Sequence, residues 1–411
     1  MLEALTNPEL WKYLSIPLVA GIVGWTTNWL AIQLTFYPKE FVGLQNPYLG
    51  WQGIIPRKVA KMSSIMVDNT VAKLSTLEEF FHELEPEKIA RHVISHTDAR
   101  IEEFVDEVMM ETNAVLWENL PVLIKNRVYS RVRKQLPQMM DNLIEDMSQH
   151  IEHLIDVKHM IINQMTQDKD LLIRVFKECG EAEFKFVVNS GLWFGGLFGL
   201  LQMAIWYFFP EWWILPLFGF LVGYVTNWLA LNLIFRPLRP QKFGPFVFQG
   251  LFLRRQDAVS EVFCKIATQE VLTIRNLMNA IFKGPKKEKA KNLIKNRLRP
   301  IIDSGPVRTA AQLTVGAEGF VELKRSLEDK AIDFSLESFD DPVFNTERSV
   351  VVERMFRERM QAMTSEEFQD LLRPAFQEDE WTLILIGAFL GALAGTGQLL
   401  LVFGEALSKM A

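Results

Sequence analysis

The sequence predicts an all-α integral membrane protein: four transmembrane helices from a tandem parallel repeat of two spans each, with two helical cytoplasmic segments. Three observations predict it. Four windows, residues 13–36, 186–210, 212–235 and 381–403, contain no Asp, Glu, Lys or Arg, and each is 23 to 25 residues long. About 20 residues of helix cross the ~30 Å of a bilayer's hydrocarbon. The pentapeptide Thr-Asn-Trp-Leu-Ala occurs at 27–31 and again at 226–230, deep inside two of those windows and offset by 199 residues. The polar stretches between windows carry apolar residues three and four apart, as at Ile124, Val128, Val132, Leu136, Met140, Leu143 and Met147, which is helix spacing and not strand alternation.

In chain order, residues 1–12 are an external tail, 13–37 the first span and 38–185 the first cytoplasmic segment. Residues 186–210 and 212–236 form the second and third spans around the turn Pro210-Glu211. Residues 237–380 are the second cytoplasmic segment, 381–404 the fourth span and 405–411 an external tail. The first window exceeds the apolar core of a signal peptide, follows a leader with two Glu and one Lys, and precedes no small-x-small cleavage site, so it reads as a retained span. Trp212, Trp213 and Trp381 stand at window edges, at headgroup depth. Lys39, Arg57, Lys58 and Lys61 follow the first window, and Arg236, Arg239, Lys242, Arg254 and Arg255 follow the third. The opposite ends are poor in cations, and an excess of Lys and Arg marks the cytoplasmic side, which puts both termini outside. The net charge of −6 averages over these locally basic stretches. Cys179 and Cys264, far apart in polar segments, suit reduced thiols better than a disulfide framework.

The duplication extends beyond one motif. Phe36-Tyr37-Pro38 answers Phe235-Arg236-Pro237, and Gln52-Gly53 with Arg57-Lys58 answers Gln249-Gly250 with Arg254-Arg255. Gly191, Gly195, Gly199 and Gln202 match Gly387, Gly391, Gly395 and Gln398, all offset by 196. Two spans per unit give successive units the same orientation, hence a parallel repeat.

A Gly-x-x-x-Gly-x-x-x-Gly ladder strips one helix stripe of side chains and lets a second backbone approach. Asn28 shares a face with Gly24, Ala31 and Thr35, and Asn227 with Gly223, Ala230 and Ile234, so those faces are expected to pack on the ladders. Each amide then bonds a backbone carbonyl or the amide of Gln202 or Gln398. Such amides act either as interhelical glue or as the lining of a polar site near the bilayer centre. No Asp, Glu, Lys, Arg or His lies within any of the four windows, which argues against a proton-coupled pump. The loops Gln-Gly-Ile-Ile-Pro-Arg-Lys (52–58) and Gln-Gly-Leu-Phe-Leu-Arg-Arg (249–255) fit two roles: shallow insertion with Arg57, Lys58, Arg254 and Arg255 at anionic headgroups, or a turn that docks the following helices. The basic stretch 283–300, with Lys286 and Lys287, suits an anionic lipid surface or a plain solvated face, and it lacks the interleaved aromatics of a nucleic-acid module. His92 with His96 and His150 with His153 have helical spacing for a shared metal, but the second repeat has no histidine, so they read as solvated residues and no metal is expected. Phosphate loops, dinucleotide fingerprints and nucleophile elbows are absent, so the expectation is a protein without enzymatic activity or cofactor.

The run Gly-x-x-Thr-Asn-Trp-Leu-Ala, Phe-(Tyr/Arg)-Pro and Gln-Gly-x-x-(Pro/Leu)-Arg-(Lys/Arg) resembles the signature of an uncharacterised bacterial membrane-protein family, domain of unknown function 445. The second copy departs from it at Leu253, where the first has Pro56. The resemblance implies a bacterial inner membrane and brings no reaction or substrate. Two functional expectations follow: a scaffold presenting helical modules to protein partners, to a second copy or to anionic lipid headgroups, and a transporter or lipid-handling protein with a polar site near Asn28 and Asn227.

Overall fold

The computed structural model describes residues 8–402 apart from 46–48, 245, 304, 306–307, 310–311, 313–326, 328 and 378–379. The expected external tail 405–411 and most of the tail 1–12 lie outside the described residues. Helix α1 (Pro8–Phe36) opens the chain and ends where the cis bond Tyr37-Pro38 turns it. A short antiparallel hairpin follows, β1 (Val42–Gln45) and β2 (Leu49–Trp51), then the single turn α2 (Ile54–Arg57), α3 (Val59–Met66) and a π-helical stretch Val67–Val71. The first polar segment continues through α4 (Leu77–Glu83), α5 (Pro86–Ala99), α6 (Ile101–Glu118), α7 (Val122–Leu154), α8 (Val157–Gln167) and α9 (Lys169–Cys179). Two long apolar helices come next, α10 (Glu181–Phe208) and α11 (Ile214–Phe235).

The order then recurs. After the cis bond Arg236-Pro237 come β3 (Gln241–Phe243), β4 (Phe246–Phe248), the single turn α12 (Leu251–Arg254), α13 (Gln256–Ile266) and a π-helical stretch Ala267–Val271. They are followed by α14 (Ile274–Lys283), α15 (Lys287–Ile302), α16 (Pro342–Gln361), α17 (Ser365–Gln377) and α18 (Glu380–Val402). The hairpins are the β-structure among the described residues. Leu253 occupies the one-turn helix that Pro56 occupies earlier, so the turn does not require proline: the N–H of Lys58 reaches Ile55 O at 3.1 Å, and that of Arg255 reaches Phe252 O at 3.1 Å. Caps set the starts of other helices. Thr76 and Glu79 form a capping box before α4, and the Thr273 hydroxyl accepts from the Asn276 N–H before α14.

The chain forms two compact units. The first holds residues 1–70, 165–263 and 360–411, and with them four helices long and apolar enough to cross a membrane: Tyr13–Phe36, Glu181–Phe208, Ile214–Phe235 and Glu380–Leu401. Their outward side chains include Leu18, Trp193, Phe208, Phe389 and Leu401, all exposed, a belt with no reason to exist in water. Within the belt the pentapeptide divides cleanly. Asn28 and Asn227 are 0% and 4% exposed, whereas the adjacent Trp29 and Trp228 are 44% and 47% exposed, so Asn looks inward and Trp toward lipid.

Helices α1 and α10 cross with backbones in contact. A Cβ placed on Gly195 would lie 2.6 Å from Ala20 O, one on Gly199 would lie 2.5 Å from Pro17 Cα, and one on Gly24 would collide with Gly191 O. Helices α11 and α18 repeat the arrangement, with Gly219 against Gly391, Gly223 against Gly387 and Leu215 against Gly395. The last turn of α1 carries the hairpin, since Trp51 Nε1 donates to Leu34 O at 3.1 Å. Helix α17 packs on α3 and α12, and Phe252 stacks on Phe368 at 5.1 Å between ring centroids, so the two halves interlock below the spans.

The second unit holds residues 71–164 and 264–359. The middles of both polar segments therefore fold together, and the segments 38–185 and 237–380 each contribute to both units. Helix α7 packs on α4, α5 and α15. Arg297 bonds Asp146 at 2.6 Å, Lys330 bonds Glu107 at 2.7 Å, Arg348 pairs with Glu85, and Phe80 packs on Phe356. Trp117, fully buried, donates from Nε1 to Asp106 at 2.9 Å, and Tyr129 bonds the same carboxylate.

The backbone crossing makes a sharp expectation. Gly195→Val overpacks it and lowers stability by about 1–3 kcal/mol. Gly397→Ala, where an added Cβ meets nothing within 4 Å, stays within about 0.5 kcal/mol of wild type. Unfolding of the purified protein followed by tryptophan fluorescence measures both, and equal midpoints would rule out the close crossing.

Candidate functional site

The spans of the first unit are layered. At one end Ile16, Trp206, Ile214, Leu215 and Leu399 form a dry apolar cluster. Next comes a small void of about 20 Å³ lined by Gln202, Gln398, Thr27 and the facing glycines. At the other end, beside the turns that follow α1 and α11, lies a larger cavity of about 70 Å³. Its walls are almost wholly apolar, among them Ile32, Phe36, Phe176, Phe184, Leu231 and Phe252. Four polar side chains interrupt them: Asn28, Thr35, Glu183 and Asn227. The structure thus brings the two pentapeptide asparagines to one cavity.

Both amides bond backbone carbonyls of the glycine-ladder helices. Asn28 Nδ2 donates to Val187 O at 2.8 Å and Asn227 Nδ2 donates to Leu383 O at 3.1 Å. Gln202 and Gln398, the other expected partners, are buried in the smaller void instead. The reason is register. Gln202 lies 11 residues beyond Gly191, which is about 16 Å of helix, while Asn28 is held opposite Gly191 and Val187. Asn28 Oδ1 is buried without a hydrogen-bond partner. The carbonyl of Val187 requires a donor, so it fixes the amide with Nδ2 toward α10 and leaves Oδ1 as the atom that Asn28 can offer.

Glu183 was not among the expected site residues, because it precedes the charge-free window. It is 3% exposed, and both carboxylate oxygens accept from Arg255 Nη1, at 3.0 and 2.8 Å. A sequence signal was available: Glu183, Val187, Gly191, Gly195 and Gly199 fall at i+4 steps on one stripe, so an acid on the buried face was legible.

Arg255 is thereby committed to Glu183 and is not a headgroup ligand. Lys286 departs from the membrane-surface expectation too: it donates to Glu152 O at 2.9 Å and Ile155 O at 2.8 Å, capping the end of α7. Arg57, Arg254 and Lys287 are exposed and Lys58 is half-buried. The loop apolar residues Ile54, Ile55, Phe252 and Leu253 are buried in protein, so the docking-turn alternative fits and shallow insertion of those residues does not. The exposed apolar residues near this level are Val42, Leu44 and Leu49 on the first hairpin. In the second unit, His92 bonds Ser338 O at 2.8 Å and stacks on Phe344, and His96 bonds the Ser338 hydroxyl at 3.1 Å. Cys179 and Cys264 are buried and not joined in a disulfide, and burial pushes the Cys264 thiol up to about 12.

No family model matches the chain. A curated UPF0754 membrane protein of Nostoc sp. is 30% identical over 89 residues, 21% of this chain. The match spans 19% of that relative's length. The chain is a helical membrane protein with four candidate spans, similar over that stretch to another membrane protein.

The buried pair carries its own expectation. Arg255→Met leaves Glu183 uncompensated and costs stability at the lower end of ~3–5 kcal/mol, since Arg255 keeps partial solvent contact. Adding Glu183→Gln removes the charge and recovers most of the loss. Thermal unfolding of the single and double variants checks this; a double variant no better than Arg255→Met would show that the charge pairing is not the origin of the effect.

Proposed function

We propose that the chain is a non-enzymatic multi-pass protein of the bacterial inner membrane whose membrane unit holds an apolar molecule drawn from the lipid phase. The observation that carries this reading is the apolar cavity shared by Asn28 and Asn227. Cavities in a well-packed helix bundle are small and few, and one with apolar walls and a few placed polar groups is the usual form of a ligand site.

The membrane unit is a tandem parallel repeat with both termini outside. Supporting this, each half carries a cis X-Pro bond, a hairpin, a one-turn helix and a π-helical stretch in the same order after its Asn-bearing span. The cations of those turns favour that side as cytoplasmic. Arg57 and Arg254 then face anionic headgroups or solvent, and the exposed Leu44 and its hairpin neighbours meet the interface.

A scaffold reading draws on a different observation. Both Nδ2 atoms bond carbonyls of the neighbouring span, as interhelical glue does, and the polar segments join into one unit fit to receive a protein partner or a second copy. Replacing both asparagines by Leu separates the readings. The loss of two bonds costs about 0.6–2 kcal/mol each. Under the ligand reading, lipid retained by the purified variant, measured by mass spectrometry, falls well below wild type. Wild-type lipid retention at reduced stability would leave the asparagines as glue and favour the scaffold.

Orientation needs introduced cysteines, because Cys179 and Cys264 are buried and report nothing about sidedness. In a cysteine-free background, a maleimide that cannot cross membranes labels Trp212→Cys in intact cells and labels Lys289→Cys only after lysis. The opposite pattern overturns the orientation.

A further inference from the structure

We propose that the occupant of the cavity is an uncharged lipid alcohol, a long-chain or isoprenoid molecule whose hydroxyl donates to Asn28 Oδ1; this rests on the reading of the cavity as a ligand site. The inference comes from accounting for each polar group that lines it. Thr35 Oγ1 donates to Ala31 O at 2.9 Å. Asn28 Nδ2 and Asn227 Nδ2 donate to Val187 O and Leu383 O. The Glu183 oxygens accept from Arg255. Each amide thus directs an N–H to a carbonyl of the neighbouring span, and the carboxylate is matched by a guanidinium.

What is left over is an acceptor. Asn28 is 0% exposed and its Oδ1 has no partner. A buried acceptor without a donor is unfavourable by an amount that an incoming O–H recovers. An occupant whose only polar function is an acceptor, such as an ester or an ether, leaves Oδ1 unsatisfied.

Charge narrows the class further. Among the described residues no Lys or Arg lines the cavity, and the acid that does, Glu183, is already matched by Arg255. A carboxylate or phosphate entering the cavity would be desolvated with no cation to receive it and with a carboxylate nearby. An ammonium would have to compete with Arg255 for Glu183. The neutral donor is the chemistry that fits. Size and solvent agree: about 70 Å³ far exceeds the ~10–15 Å³ that one water requires, and the phenylalanine and leucine walls offer water few partners.

The test uses the full-length protein in lipid nanodiscs and three photoactivatable probes on one chain: a long-chain primary alcohol, its methyl ether and its carboxylic acid. Peptide mapping locates the adducts. The alcohol is expected to label cavity residues such as Phe176 and Leu231 about tenfold more than the ether or the acid, the factor that one net hydrogen bond supplies. In Asn28→Leu the alcohol's advantage over the ether should fall to parity, while a thermal melt checks that the variant is folded. Leu231→Phe narrows the cavity, leaves Asn28 in place, and should reduce labelling by all three probes.

Equal cavity labelling by alcohol and ether in the wild type overturns the hydroxyl assignment while leaving an apolar ligand site. An advantage that persists in folded Asn28→Leu also overturns it. No cavity labelling by any probe, or labelling unaffected by Leu231→Phe, removes the ligand site itself and the proposal with it.

Discussion

The membrane unit depends on backbone meeting backbone. Lipid gives helices no hydrophobic reason to associate with one another, so close van der Waals contact and interhelical hydrogen bonds must hold them. Gly191, Gly195 and Gly199 let α1 approach until its carbonyls touch α10, and Gly387, Gly391 and Gly395 do the same for α11 on α18. Where each ladder ends, the next turn of the facing helix presents an asparagine, which spans the gap by donating to the carbonyl one turn further on. The rest of the unit inherits its geometry from that contact: which way the amide points, which atom is left over, and where the helix faces stop meeting and leave a cavity.

Charge is placed at the mouth of this arrangement with some economy. Glu183 sits on the ladder stripe one turn beyond Val187, on the part of α10 that precedes its charge-free run. Its partner Arg255 comes from the turn between α12 and α13, so a residue of the second half neutralises a buried acid of the first. Together with the packing of α17 on α3, this ties the halves to each other at the level where the chain changes from apolar to polar.

Much of this was legible in the residues. The i, i+3, i+4 spacing of Gly24, Thr27, Asn28 and Ala31 announced an inward face, and the ladders announced what it would pack against. The partner of each asparagine was not legible, because it depends on how far two antiparallel helices slide along each other. Opposing Gly24 to Gly191 would have settled that register and excluded the glutamines. The fates of Arg255 and Lys286 were hidden for a different reason: their partners are 72 and more than 130 residues away, and one set of partners is backbone carbonyls, which carry no sequence signal. The short hairpins escaped because strands of three or four residues are below the length at which alternation can be seen.

The second unit, assembled from 71–164 and 264–359, has a consequence for synthesis. Its first part leaves the ribosome complete and cannot close, since α7 must wait for α15 and Glu85 for Arg348. The missing part emerges roughly 200 residues later, about 10–40 s at the usual ~5–20 residues per second. During that interval two candidate spans are made while the amphipathic helices α4 to α8 stand half-finished. The interleaving that makes the mature unit whole thus makes the nascent one dependent on whatever shields its apolar helix faces in the meantime.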